Sequence, residues 1–87
     1  MKKFRYSRHA EEEMKRRQIP QQIADQVLIS PEQELDQADG RKIYQSRIEM
    51  LPGKTYLIRI FIDPIEDPAV VVTVYRTSKI EKYWRNP

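Results

Sequence analysis

The chain has one histidine, His9, in the run Tyr6-Ser7-Arg8-His9-Ala10, directly ahead of Glu11-Glu12-Glu13. Histidine is the side chain whose ordinary pKa lies nearest neutrality, so one at the start of a helix is the first candidate for proton transfer. The positive end of the helix disfavours the imidazolium, which keeps the base form available near pH 7. Packing beside Tyr6, or closing the first helical turn, is the other role open to it. Far along the chain Thr73, Tyr75, Arg76 and Thr77 supply hydroxyls and a guanidinium. Arg47 and Arg59 add two more guanidinium groups, which can grip a phosphate bidentately and offset the charge that grows on it during phosphodiester cleavage. Arg8, Arg76 and Lys79 extend this candidate substrate-binding set. Each residue also has a plainer use. Exposed arginines make surface ion pairs, as Arg59 would with Asp63 or Arg47 beside Glu49, and threonine and tyrosine are good strand formers.

To act together these groups must be carried by a small scaffold. The chain has 87 residues, enough for one domain, residues 1–87, and too few for a second core. It has no cysteine, so it has neither a disulfide framework nor a thiolate metal site, and a single histidine is poor material for zinc. Neither a glycine-rich phosphate loop nor a carboxylate cluster of metal-binding spacing is present, so chemistry without a metal or cofactor is the enzymatic route the sequence leaves. The opening Met1-Lys2-Lys3-Phe4-Arg5 leads into charged residues and does not read as a signal peptide, and no stretch is long enough to span a bilayer. A cytoplasmic location with no membrane partner is the expectation. Net charge is +3. The basic residues gather at the ends, Lys2, Lys3, Arg5 and Arg8 at one and Arg76, Lys79, Lys82 and Arg85 at the other. Glu32, Glu34, Asp36 and Asp39 make the middle acidic. If folding joins the ends, a phosphate-binding side results; left apart, these are ordinary solvated charges.

Hydrophobic period divides the chain in two. Ser7 is an N-cap, the glutamates suit the first turn, and Tyr6, Ala10, Met14 and Arg17 share a face, so a first helix is predicted over about 7–17. Its pairs Glu11–Lys15, Glu12–Arg16 and Glu13–Arg17 have the favourable i,i+4 order and make a solvated face. Pro20 suits the first position of a second helix carrying Ile23, Ala24, Val27 and Leu28, ended by Ser30-Pro31. From residue 32 the period falls to 2, with turns at Asp39-Gly40, Pro52-Gly53 and Pro64 to Pro68. Four strands are predicted, about 33–38, 41–51, 55–62 and 69–76, joined as an antiparallel meander. Alternation turns Tyr44, Ile48, Met50, Tyr56, Ile58, Ile60, Ile62, Val70, Val72 and Val74 toward the helices. Gln45, Arg47, Glu49, Arg59, Thr73 and Tyr75 then share the outer face. The end, Ser78 to Trp84, has the makings of one or two helical turns. There Tyr83 and Trp84 either stack on bases or pin the segment to the core.

Ser7-Arg8-His9-Ala10, then Met14-Lys15-Arg16-Arg17-Gln18-Ile19-Pro20, and finally Val70-Val71-Val72-Thr73-Val74-Tyr75 carry a resemblance over nearly the whole chain. The pattern is similar to a bacterial and cyanobacterial family of uncharacterised small proteins. That family in turn resembles the RelE, ParE and BrnT toxins and, more widely, the barnase, EndoU, colicin and RelE ribonuclease fold. The resemblance implies an α+β fold of two N-terminal helices packed on a four-stranded antiparallel sheet. It also implies a metal-independent endoribonuclease, in which a ribose 2′-hydroxyl attacks the adjacent phosphate, acting as the toxin of a toxin-antitoxin pair. In that light His9 matches the histidine proposed as base or acid, and Thr73 and Tyr75 match polar positions of the last strand. Arg47 and Arg59 are placed by strand alternation alone. The pattern differs from that of RelE, whose site is built from several lysines and arginines on the sheet. RNA and an antitoxin are the partners so implied. A non-catalytic module that binds nucleic acid or protein, and a scaffold whose sheet edge pairs with a second copy, are the alternatives.

Overall fold

The computed structural model describes residues 3–86. Lys2 of the basic N-terminal cluster lies outside the described residues. In chain order the elements are β1 (Phe4–Tyr6), α1 (Arg8–Arg16), α2 (Gln21–Ile29), β2 (Gln33–Asp36), β3 (Lys42–Leu51), β4 (Lys54–Asp63), β5 (Ala69–Thr77) and α3 (Ile80–Tyr83). The strands form one sheet in the order β1-β5-β4-β3-β2. Strands β2 to β5 are the expected antiparallel meander, but the sheet is mixed and five-stranded, because β1 pairs with β5 in parallel. Three residues between basic neighbours are too few to display a period of 2, so β1 was not legible. Its pairing comes instead from a partner 65 positions away, as Phe4 faces Ala69 and Tyr6 faces Val71.

Ser7 links this strand to the helix that follows. Its Oγ accepts from the Ala10 amide at 3.0 Å, which caps α1, while its hydroxyl donates to the Val72 carbonyl at 3.1 Å and its amide to the Val71 carbonyl at 3.0 Å. One residue therefore sets the start of α1 and fastens it to β5. The helix ends through Gln18, whose φ of 55° is left-handed, with the Ile19 amide donating to Met14 O at 2.8 Å. That closure usually takes glycine. Pro20 caps α2 rather than occupying its first turn: its carbonyl accepts from the amides of Ile23 and Ala24, and its fixed φ of −62° suits the extended approach.

Both N-terminal helices lie on one side of the sheet. Ala10 and Met14 of α1 and Ala24, Val27 and Leu28 of α2 pack on Tyr44, Ile58, Ile60, Ile62, Ala69, Val71 and Val74. Each wholly buried aliphatic side chain there contributes roughly 1.5–3 kcal/mol. The alternation in β5 differs from expectation. A bulge interrupts the β4–β5 register between Phe61 and Ile62, so Phe61 faces Thr73 while Ile62 faces Val71, and Val72 is left over. A single extra residue exchanges the faces. Val71, not Val70 or Val72, therefore enters the helix-side core, and Val74 follows beyond the bulge. The freed carbonyl of Val72 is the one that takes the Ser7 hydroxyl.

Candidate nucleic-acid interface

On the side of the sheet away from α1 and α2, the register aligns Gln45 of β3, Arg59 of β4 and Tyr75 of β5 in one row. Arg59 is only 8% exposed. Its Nε donates to Gln45 Oε1 at 2.9 Å and its Nη1 to the Tyr75 hydroxyl oxygen at 2.6 Å. Three rings surround the guanidinium, with centroids 4.4 Å (Tyr83), 5.6 Å (Phe61) and 5.7 Å (Tyr75) away. Phe61 and Tyr75 stack at 5.9 Å, and Tyr83 meets Tyr75 edge-on. Asp63 does not pair with Arg59, and no carboxylate among the described residues lies within 4.0 Å of it. A buried cation is costly without a counter-charge, and ring quadrupoles and neutral acceptors compensate it only in part. The site therefore keeps positive charge that an anion can use. Tyr75 also gains a specific property: its oxygen accepts from Arg59, so its own proton remains for an outside acceptor.

The helix α1 adds to this row from the edge of β5. Arg17, the residue that ends α1, places its guanidinium 5.5 Å from the Tyr75 ring centroid. Its other contact is Glu13, whose Oε1 lies 3.3 Å from Arg17 Nη2. Glu13 is nearly buried, and Arg16 forks onto it with Nε and Nη2 at 2.8 and 2.7 Å. That hydrogen-bonded fork outweighs the desolvation of the carboxyl and holds Glu13 below the usual carboxylate range. The i,i+4 pattern expected for three pairs thus survives only at Glu13–Arg17, with Arg16 turned to Glu13 instead of Glu12. His9 reaches the same carboxylate, its Nε2 3.9 Å from Glu13 Oε1, with an imidazole side chain that is 64% exposed. His9 therefore stands three contacts from Tyr75, with Glu13 and Arg17 between them, and makes no hydrogen bond to Arg59 or Thr73.

The C-terminal residues cross this same face. Gln45 Nε2 donates to the Tyr83 carbonyl at 3.2 Å, and Gln33 exchanges bonds with the Arg85 backbone, Nε2 to O at 2.6 Å and Oε1 from N at 3.2 Å. Tyr83 and Trp84 so hold the C-terminal end against the outer face rather than the helix-side core. Trp84 lies under Arg47, 4.0 Å from guanidinium carbon to ring centroid. Arg47 is fixed by Glu32, which accepts from its Nε at 3.2 Å, its Nη2 at 2.9 Å and its backbone amide at 2.7 Å. These bonds draw the Glu32 carboxyl below its ordinary range. Arg47 is thus stacked on an aromatic ring and ion-paired to Glu32.

The remaining sequence candidates are scattered. Thr73 shares the outer face opposite Phe61. Arg76 stands opposite Ile58 on the helix side, its guanidinium 4.8 Å above Tyr56 and 3.8 Å from Met50 Sδ, so it does not join Arg59 and Tyr75. Arg8 is an exposed first-turn residue of α1, and Lys79 is an exposed residue preceding α3. The sequence did not single out Arg17, Gln45 and Tyr83 as partners of Arg59 and Tyr75, nor Glu13 as the shared partner of Arg16, Arg17 and His9. Arg17 had a signal, since it ends a helix whose apolar stripe it shares. Nothing in the sequence pointed to Gln45 as the acceptor for Arg59.

A family model described as "Domain of unknown function (DUF4258)" matches residues 6–76. No curated protein and no solved structure matches the chain.

Proposed function

Because the chain belongs to the DUF4258 family, whose description states no activity, we propose from the geometry that it binds single-stranded RNA across the outer face and cleaves it as a metal-independent endoribonuclease. The observation that carries this reading is the interleaving of cations and rings there. Arg17 lies over Tyr75, Arg59 sits among Tyr75, Phe61 and Tyr83, Lys82 is over Tyr83, and Arg47 is over Trp84. Alternating guanidinium and aromatic planes suit a strand that offers phosphates and bases in turn. Double-stranded nucleic acid, with its bases stacked inside, has no use for the rings.

In this reading Arg17 and Arg59 bind the scissile phosphate and offset its developing charge. Tyr75 donates its free proton to the leaving 5′-oxygen. His9, exposed at the rim and oriented toward Glu13, takes the proton of the attacking 2′-hydroxyl. The step balances: the 2′-oxygen forms a bond to phosphorus, the 5′-oxygen leaves with the proton from Tyr75, and a 2′,3′-cyclic phosphate remains. The protein then acts as a toxin restrained by a protein antitoxin. The test is incubation of the purified protein with a labelled RNA in excess chelator. Cyclic-phosphate ends that vanish in Tyr75→Phe and fall steeply in His9→Ala support cleavage. Unchanged cleavage in both variants refutes these roles.

The near-complete enclosure of Arg59 favours a second reading, RNA binding without cleavage. In that case the RNA is retained intact in the same assay.

A further inference from the structure

Beside the row of Gln45, Arg59 and Tyr75, two residues along β3, an open cleft of about 670 Å³ is lined by Arg47, Ile80, Glu81, Trp84 and Asn86. Its lining combines flat surfaces with hydrogen-bonding groups. The Arg47 guanidinium lies over the Trp84 ring, and its two bonds to the Glu32 carboxylate, which also accepts from the Arg47 backbone amide, hold it in place before any ligand arrives. α3 buries none of its residues, so Ile80 remains available as an apolar wall. Glu81 is exposed and pairs with no lysine or arginine among the described residues.

We propose that this cleft is a nucleobase subsite and that it selects guanine. A base entering it meets planes of the kind that bases stack on. The Glu81 carboxylate only accepts hydrogen bonds, and guanine presents two neighbouring donors, N1–H and the N2 amino group, on its Watson–Crick edge. Adenine offers an acceptor at N1 and is repelled there. The Asn86 amide can donate to the guanine O6. The inference deepens the RNA-binding reading and depends on it for its biological meaning, because residues 45 and 47 place the base subsite next to Arg59 along the same strand face.

Trp84 is the only tryptophan of the chain, so its emission reports on this cleft alone. The intact protein is titrated with guanosine 5′-monophosphate, adenosine 5′-monophosphate and ribose 5-phosphate while Trp84 emission is followed. In parallel a labelled single-stranded RNA octamer containing guanine is followed by anisotropy. The guanine nucleotide is expected to quench saturably, at least about fivefold more tightly than the adenine nucleotide, whereas ribose 5-phosphate leaves the emission unchanged. Glu81→Gln, at an exposed position, should weaken the guanine nucleotide about fivefold and leave the adenine nucleotide no weaker, because the repulsion of adenine N1 is relieved. Absent quenching, equal quenching by ribose 5-phosphate, equal affinity for both nucleotides, or an unaltered response in Glu81→Gln each overturns the proposal. RNA that binds without changing Trp84 emission sinks the base subsite alone. Nucleotide quenching without any RNA binding sinks the wider RNA reading and leaves the subsite standing.

Discussion

Removing the Tyr75 hydroxyl and the Arg59 guanidinium, singly and together, examines the bond on which the outer face is organised. Tyr75→Phe keeps the ring that stacks on Phe61 but deletes the acceptor 2.6 Å from Arg59 Nη1. A hydrogen bond to a charged group contributes about 1.5–3 kcal/mol. Tyr75 is half-buried, so water partly replaces it, and the expected loss is about 1.5 kcal/mol. Arg59→Met keeps most of the apolar stem but leaves Gln45 Oε1 without its 2.9 Å donor, inside a residue that is 0% exposed. The unpaired Gln45 acceptor costs about 1–3 kcal/mol and the lost bond to Tyr75 about 1.5 kcal/mol more, and release of a buried cation lacking a carboxylate offsets most of both, for a net loss of about 1 kcal/mol. In the double variant the shared bond is lost only once, so the two losses should fall short of additivity by about 1 kcal/mol. Urea unfolding followed by Trp84 emission measures all four proteins, with unchanged m-values as the sign that stability alone has moved. In heat, the Tyr75→Phe loss corresponds to a Tm lower by roughly 6–12 °C for a domain of this size. Additivity to within about 0.3 kcal/mol would show that Arg59 does not depend on Tyr75, and would remove the argument that the phenol's own proton is free to be donated.

Gln18 holds a left-handed φ of 55° to close α1, a conformation costing roughly 1 kcal/mol for a side chain that glycine avoids, so Gln18→Gly should raise Tm by a few degrees in a thermal melt. Glu13 and Glu32 are both held below their ordinary pKa of 4.5, each chiefly by an arginine hydrogen bond. Folded pKa values below the unfolded ones give a contribution that is complete above about pH 4.5 and lost as pH falls through the folded values. Urea midpoints should therefore decline below that pH, less so in Glu13→Gln. At the alkaline limit, burial first and Asp25 second push the Tyr6 phenol well above its ordinary value of 10.0, so stability should also fall as pH rises past that value.

The helices, the meander and most of the core were legible because their signals are local. Ser7 announced a cap, the 3.6-residue stripe marked Ala10 and Met14, and the glycines with φ of 88° and 77° at Gly40 and Gly53 punctuated the hairpins. Two features rest on contacts between distant residues and left no such mark. β1 exists because Ala69 to Val71 offer it an edge, and the bulge at Val72 inverts an alternation that reads as uninterrupted valine. Thr73 and Tyr75 lie on the outer face, where alternation also puts them, because the bulge exchanges the faces only of the residues before it. Arg59 was rightly assigned to that face, yet its burial was not foreseeable: the sequence shows neither that Tyr83 folds back over it nor that Gln45 stands opposite. Arg76, one residue after Tyr75, necessarily points the other way, and a cluster of basic residues in the sequence does not make one in space.

RNA binding by the outer face is tested most directly by the affinity of the intact protein for an unstructured single-stranded RNA, measured by anisotropy from about 25 to 300 mM salt. With roughly three or four phosphates contacted by Arg17, Arg59 and the lysines and arginines near α3, log Kd should rise with log salt at a slope of about 2–3. Arg17→Ala should lower that slope by just under one unit, and duplex RNA of the same length should bind more weakly because its bases cannot reach the rings. No binding at the lowest salt, or binding that neither Arg17→Ala nor a duplex weakens, would contradict the claim that the outer face is an RNA-binding surface.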